Sequence, residues 1–244
     1  MMKLVEEFLS IQGEGIFAGR LACFIRFAGC NFSCYGFGVV KSKNNKTLIG
    51  CDTLRAVYTN EFSDEYKEFK LENIINKLNL FSYKPMIVIT GGEPLIHQEN
   101  PKFIELLEYL VKNEYLVQFE TNASICLKEY DFYKNCYFAM GVKLANSKMP
   151  KEKRINYEAI NSILKQSKQA FFKIVLDKAD LEDNQELFEL RNAYKDANFY
   201  LMPKGATNDE LRANAKSVLE FAIKNGFNYT DRIHIRIYDD LEGV

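Results

Sequence analysis

Met86-Ile-Val-Ile-Thr90-Gly-Gly-Glu-Pro94 opens with apolar residues, turns polar at Thr90 and breaks on two glycines. A continuous apolar run of this length suits a strand covered on both faces, as in a parallel sheet. Further β-rich runs stand at 23–27, 116–120, 137–142, 171–176, 199–202 and 233–238. Between them lie stretches of helical period near 66–80, 102–112, 157–166, 181–194 and 209–225. Asn100-Pro101 sets a capping side chain before proline at the first helical position, and Thr207-Asn-Asp-Glu210 has capping-box form. Strand–helix alternation predicts right-handed βαβ units around a parallel sheet. About seven strands, and fewer helices than an eightfold barrel needs, predict an α/β fold: an incomplete, laterally open, TIM-like (β/α) barrel. Thr90, Glu120 and Lys143 would then lie at the mouth, where such folds keep their chemistry. Residues 1–244 read as one domain, with 35–60 as the long irregular stretch.

Composition narrows the function classes. Hydrophobic residues make up 47% of the 244, enough for a substantial core. The 32 basic and 33 acidic residues nearly cancel, so no basic field points to nucleic acid. The lysines and asparagines of 41–46 read as a solvated loop. Glu6 and Glu7 sit where a secretory signal would carry a basic region followed by an apolar one. No apolar run approaches the length of a membrane span. A soluble cytoplasmic protein is expected, and its six cysteines should be reduced thiols.

Four of those cysteines, Cys23, Cys30, Cys34 and Cys51, crowd the first quarter, while Cys126 and Cys136 stand alone. Three residues separate Cys30 from Cys34, and sixteen more precede Cys51-Asp52-Thr53. Thiolates ligate iron–sulfur clusters, and three of them would leave one iron open to a further ligand. Zinc instead favours four N/S ligands in a closed site. The two histidines, His97 and His234, are remote in sequence, and Cys23 sits in the apolar strand pattern Leu21-Ala-Cys-Phe-Ile25. Spacing alone leaves cluster and zinc about equally open.

Together with Thr90-Gly-Gly-Glu-Pro94, the Cys-x3-Cys and third cysteine resemble the radical S-adenosylmethionine (SAM) superfamily. Two glycines at a strand end permit close backbone approach by a ligand, and Glu93 offers a carboxylate to an ammonium group. Ser10-Ile-Gln-Gly-Glu-Gly15, Phe24-Ile-Arg26-Phe-Ala-Gly-Cys30-Asn31 and Cys51-Asp52-Thr53 narrow the resemblance to the 7-carboxy-7-deazaguanine synthase family. Glu120-Thr-Asn, Leu201-Met-Pro-Lys-Gly205-Ala-Thr207 and Asp231-Arg-Ile-His234 follow that family's order of elements along most of the chain. The resemblance implies a radical SAM lyase of queuosine biosynthesis. Such an enzyme converts 6-carboxy-5,6,7,8-tetrahydropterin to 7-carboxy-7-deazaguanine with release of ammonia. It also implies a [4Fe–4S] cluster, SAM, Mg2+, a flavodoxin- or ferredoxin-type electron donor and a homodimer.

Carried over by motif, Cys30, Cys34 and Cys51 would hold the cluster and Thr53 the Mg2+, a hard ion that prefers oxygen. Ile11, Gln12, Gly13, Glu14, Arg26 and Thr90 would hold the pterin, Arg26 pairing its fork with a carboxylate. Asp52, Gly92, Glu93, Lys143 and Lys173 would contact SAM, and Val244 would approach the substrate. Two departures stand out. The family usually places its third cysteine soon after the second, so 35–50 is an insertion, expected to be a surface loop. Gly141-Val-Lys143 stands where the family commonly has Ser-Pro-Lys, which bears on SAM contacts at Gly141 and Val142.

Plainer readings stand beside these. Arg26 would serve as a surface ion-pair partner, Gln12 and Glu14 as a solvent loop, Lys143 as a snorkelling strand end, and His97 as a loop residue. His234, alternating with apolar neighbours, reads as a strand histidine. Two other functions fit parts of the pattern: a radical SAM activase of a glycyl-radical enzyme, and a zinc-stabilised binding module.

Overall fold

The computed structural model describes residues 2–182, 184–241 and 243; Val244 lies outside them. Its strands are β1 (Lys3–Ile11), β2 (Leu21–Phe27), β3 (Val39–Lys43), β4 (Lys46–Gly50), β5 (Lys67–Glu68), β6 (Met86–Gly91), β7 (Val117–Thr121), β8 (Cys136–Met140), β9 (Gln169–Leu176), β10 (Asn198–Pro203) and β11 (Asn228–Tyr229). Its helices are α1 (Leu54–Val57), α2 (Leu71–Asn79), α3 (Pro101–Lys112), α4 (Lys151–Arg154), α5 (Tyr157–Gln166), α6 (Gln185–Ala193), α7 (Asn208–Asn225) and α8 (Ile233–Tyr238).

One sheet carries the order β11-β10-β9-β8-β7-β6-β2-β1-β5. From β2 to β11 all neighbours pair in parallel, while β1 and β5 are antiparallel additions at the other edge. β5 and β11 end the order and do not pair, so the sheet is an open partial barrel, as its α/β alternation predicts.

The strand period of two decides what faces where. Ile25 and Phe27, Ile87 and Ile89, Phe119, Phe138, Phe172 and Ile174, and Phe199 and Leu201 belong to the main apolar core, together with buried residues of α3 and α5 to α7. Their neighbours in sequence, Arg26, Thr90, Glu120, Ala139, Lys173 and Met202, line the cavity on the opposite face. Phe119 stacks on Phe138 at 4.7 Å, and its truncation to alanine would cost about 3–5 kcal/mol. Toward the N-terminal ends of the strands, Ala22, Phe24, Met86 and Val88 form a second apolar cluster joined by Phe8, Phe17 and Leu116. Phe17 also meets Tyr137 edge-on at 4.9 Å. This floor leaves polar side chains to collect toward the C-terminal ends.

Both expected caps are present. Asn100 accepts from the N–H of Lys102, and Thr207 from that of Glu210. The return bond of a full capping box is displaced by one residue, since Glu210 accepts from Ala206 N instead.

Three expectations give way. Residues 233–238, expected as a strand, form α8: Ile-His-Ile-Arg-Ile-Tyr alternates, but only Ile235 is buried and Ile237 is 62% exposed. The irregular stretch contains a hairpin, β3 paired with β4, turning on Asn44 and Asn45 with φ of 52° and 60°. The helix expected from 66 begins at Leu71, because 67–68 joins the sheet edge as β5.

Candidate active site

The loop after β1 and the segment after β11 meet across the open side. Gly15 N donates to Thr230 Oγ1 at 2.7 Å, and Ile233 N donates to Gly13 O at 3.1 Å. Together with the C-terminal ends of β6 to β10 they surround one cavity. Ile11, Gln12, Glu14, Arg26, Cys30, Cys34, Cys51, Asp52, Thr53, Thr90, Gly92, Lys143 and Lys173 all line it. Thirteen of the fifteen residues anticipated from sequence thus converge on one space from seven parts of the chain. Gly13 and Glu93 flank it.

The thiols stand on one wall. Cys30 follows β2, and Phe32 N donates to its Sγ at 3.4 Å. A Cβ on Gly92 would stand 2.6 Å from Cys30 Cβ, so glycine is what lets the β6 end approach the cysteine loop. Glu93 N donates to Gly29 O, fastening the same two segments. Cys51 Sγ lies 3.3 Å from Thr53 Oγ1. Burial pushes the Cys30 thiol up to about 12 and raises that of Cys51, whose neighbour Asp52 adds to the shift. Loading iron here must therefore expel protons. Among the described residues no three His, Cys, Asp or Glu side chains form a ready single-ion site. Three thiols on one wall, with a backbone donor beside them, suit a group that spreads its ligands over several irons. Cys23 and Cys136 are buried on the core face of the sheet and Cys126 is exposed, so none of them joins this wall.

The same cavity holds a network of charges. Lys173 Nζ is paired with Glu14 Oε2 and lies 3.4 Å from Glu120 Oε1. Thr90 Oγ1 and Gln12 Nε2 also donate to Glu120, at 3.1 and 3.3 Å. Burial would raise the Glu14 carboxyl, but Lys173 and Arg232 outweigh it and hold the group well below the usual carboxylate range. Burial would lower Lys173, yet Glu120 and Glu14 keep it charged. Lys173, expected at SAM, thus stands among the residues expected at the pterin. Arg26 Nε donates to Glu6 at 2.8 Å while its side chain lines the cavity.

Glu93 is placed differently from the ammonium receptor expected of it. It is fully buried, and its oxygens accept from Leu95 N, Thr121 Oγ1 and Asn122 N at 3.0, 2.8 and 2.6 Å. Its carboxyl braces the wall rather than facing the cavity. Val142 also turns into the core, whereas Gly141 lines the cavity.

Four ionisable lining residues carried no expected site role: Glu120, Lys204, Arg232 and His234. Arg232 is 3% exposed and bonds to Glu14, Asp52 and Gly205 O. Burial lowers His234 and favours its neutral ring. Glu120 was legible as a polar strand end; the others lie in the 201–207 and 231–234 segments that follow the family's order, but those segments give no role to the single residues, because distant parts of the chain assemble the contacts.

Residues 11–164 match the family model described as a 4Fe-4S single cluster domain. The 7-carboxy-7-deazaguanine synthase of Aquifex aeolicus is 31% identical over 224 residues, 92% of this chain and 84% of that protein. The synthase of Clostridium acetobutylicum is 30% identical over 229 residues, 93% of this chain and 90% of its own length. In fold, the crystal structure of QueE from Escherichia coli matches with a TM-score of 0.64 at 22% identity, covering 94% of this chain and 93% of that one. With the cysteine wall, the Gly-Gly-Glu-Pro turn and near-complete coverage in agreement, this chain belongs to the 7-carboxy-7-deazaguanine synthase family of radical SAM lyases.

Proposed function

We propose that this chain converts 6-carboxy-5,6,7,8-tetrahydropterin to 7-carboxy-7-deazaguanine and ammonia in queuosine biosynthesis. The observation that carries the reading is a single cavity lined both by the three thiols and by Gln12, Glu14, Arg26, Thr90, Glu120 and Lys173. When bound, the cluster and SAM supply one-electron cleavage of the S–C5′ bond and hydrogen abstraction from the substrate.

The chain's own residues bind and orient. Cys30, Cys34 and Cys51 are the cluster ligands. Gly92, Lys143 and Asp52 border SAM, and the buried Glu93 fixes the turn that carries Gly92. Arg26 receives the substrate carboxylate, because a planar fork held on one side by Glu6 can pair on the other. Glu14, held ionised by Lys173 and Arg232, and the neighbouring carboxyl of Glu120 suit the amino and ring N–H groups of a pterin. Thr53 supplies an oxygen to Mg2+. The apolar floor of Phe17, Phe24 and Val88 excludes water from below. We further read 1–244 as one radical SAM unit with an inserted hairpin in its cluster loop. It would act in the cytoplasm as a homodimer, reduced by a flavodoxin or ferredoxin. No described helix is long and apolar enough to cross a membrane.

The test is anaerobic turnover of reconstituted protein with reductant, SAM, Mg2+ and carboxytetrahydropterin, followed by mass spectrometry. Deoxyadenosine together with carboxydeazaguanine is expected. Deoxyadenosine without carboxydeazaguanine would leave radical chemistry standing and overturn the substrate.

A further inference from the structure

Arg232 is a junction of four chain segments. Its Nε donates to Glu14 Oε1 at 2.9 Å, in the loop after β1. Its Nη1 donates to Gly205 O, beyond β10. Its Nη2 pairs with Asp52, the residue after Cys51. The ring of Phe37, from the inserted stretch between Cys34 and Cys51, covers the guanidinium with its centroid 4.5 Å from Cζ. The segment that carries Phe37 has its own anchorage. Gly36, with φ of 58°, packs so closely under Cys51 that a Cβ would stand 2.6 Å from Cys51 Cα. Tyr35 N donates to Ser147 O, and Lys148 Nζ lies 3.8 Å from the centroid of the Tyr35 ring. Phe37 is therefore held over the guanidinium by the same segment that carries the cysteines.

Charge sharpens the point. Glu14 is a buried carboxylate and Asp52 a half-buried one, and Arg232 sits between them, paired with both. A lysine could neutralise one but lacks the fork that reaches both. Stacking on Phe37 keeps water off a desolvated cation and orients its plane.

We propose that Arg232, capped by Phe37, is a positioning residue that ties the cysteine loop to Glu14, so that the substrate-side carboxylate is set only when the cluster loop is closed. This deepens the synthase reading and rests on it for its kinetic consequence, while the mechanical link stands on the four contacts.

The experiment pairs amide hydrogen exchange with product ratios on reconstituted full-length Phe37→Ala, Phe37→Leu and Arg232→Lys chains. In Phe37→Ala, exchange should rise several-fold in peptides covering 12–16 as well as 34–38, although Phe37 does not belong to the first segment. Arg232→Lys should reproduce that joint rise, and Phe37→Leu should fall between it and the parent. Deoxyadenosine formed per carboxydeazaguanine should increase about tenfold in Arg232→Lys, with iron per chain at the parent value. A rise confined to 34–38 in Phe37→Ala and Phe37→Leu overturns the link. Equal loss of deoxyadenosine and carboxydeazaguanine, with the ratio unmoved, would reduce Arg232 to a structural ion pair and also overturn it. If the parent chain makes deoxyadenosine but no carboxydeazaguanine, the synthase reading fails, and exchange alone judges the junction.

Discussion

Arg26 and Glu6 are register partners across β2 and β1, and Arg26 Nε lies 2.8 Å from Glu6 Oε1. The side chains retain 15% and 22% exposure, so the pair sits at the cavity edge rather than in the core. Glu6 thus fixes one side of a guanidinium whose other side can meet a substrate carboxylate. Arg26→Lys keeps the charge but loses the fork. It should raise KM for carboxytetrahydropterin roughly thirtyfold, as expected from losing about 2 kcal/mol of charge-assisted bonding. Glu6→Gln, which still accepts a hydrogen bond, should change KM by less than about fivefold. Steady-state kinetics with saturating SAM would check both, and an unchanged KM in Arg26→Lys would remove Arg26 from the substrate site.

The cysteines separate by strand phase. Cys51 faces the cavity, while Cys23 points to the helix side of β2 with its thiol pushed up to about 11 by burial. Cys51→Ala should leave reconstituted protein colourless and nearly free of iron, and Cys30→Ala and Cys34→Ala should do the same. Cys23→Ala should keep the parental iron load and lose about 1 kcal/mol of stability from a small cavity. Iron analysis and the visible spectrum decide. A full iron load in Cys51→Ala would sink the ligand assignment.

Strands β6 to β10 were legible because a sheet covered on both faces needs apolar residues at successive positions, and Met86-Ile-Val-Ile89 has them. β1 was not, since Glu6 and Glu7 interrupt its pattern and only the structure gives them partners, Arg26 and Lys77. The hairpin carries a local signal of its own. Asn44-Asn45, two residues tolerant of positive φ, sit between Val-Val-Lys-Ser-Lys and Lys-Thr-Leu-Ile-Gly, as a two-residue turn requires. α8 misled because six alternating residues satisfy the strand period, whereas its conformation is set by its docking at Gly13. The cysteine wall and the Gln12, Glu14 and Thr90 cluster could be anticipated from short motifs. Asp231-Arg-Ile-His234 was such a motif too, but the role of Arg232 was not legible in it, because that role lies in Asp52 and Gly205, 180 and 27 residues away.

Thr53 precedes α1, and its hydroxyl oxygen lies 3.3 Å from the Cys51 thiol. A hydroxyl oxygen suits Mg2+, which keeps most of its waters and takes few protein ligands. Thr53→Ala should raise the Mg2+ concentration for half-maximal turnover at least about fivefold. Thr53→Ser should restore it. A titration curve for Thr53→Ala that overlays the parent would reject the role.

Glu93 supplies a pH signature that needs no cluster. Burial pushes its carboxyl up from 4.5 to about 7, even though Asn122 N, Leu95 N and Thr121 Oγ1 donate to it and Lys143 is nearby. The folded chain therefore holds a proton there that the unfolded chain releases above about 4.5. The stability from this preference is complete below pH 4.5, declines as pH rises, and is gone above about 7. Its full size is about 3 kcal/mol, from roughly two and a half pKa units at about 1.4 kcal/mol each. Glu93→Gln cannot titrate, so its stability should lack this component. Glu14 and Asp52, lowered in the folded state, contribute in the opposite sense: their stability is lost as pH falls through the folded values. Both chains share those two groups, so they cancel when one curve is subtracted from the other. Urea midpoints of the cluster-free chains between pH 4.5 and 8 would give that difference. The parent should lose ground to Glu93→Gln steadily up to about pH 7 and then hold level. A flat difference would mean that the carboxyl ionises in the folded chain at its ordinary value, with its three donors outweighing its burial.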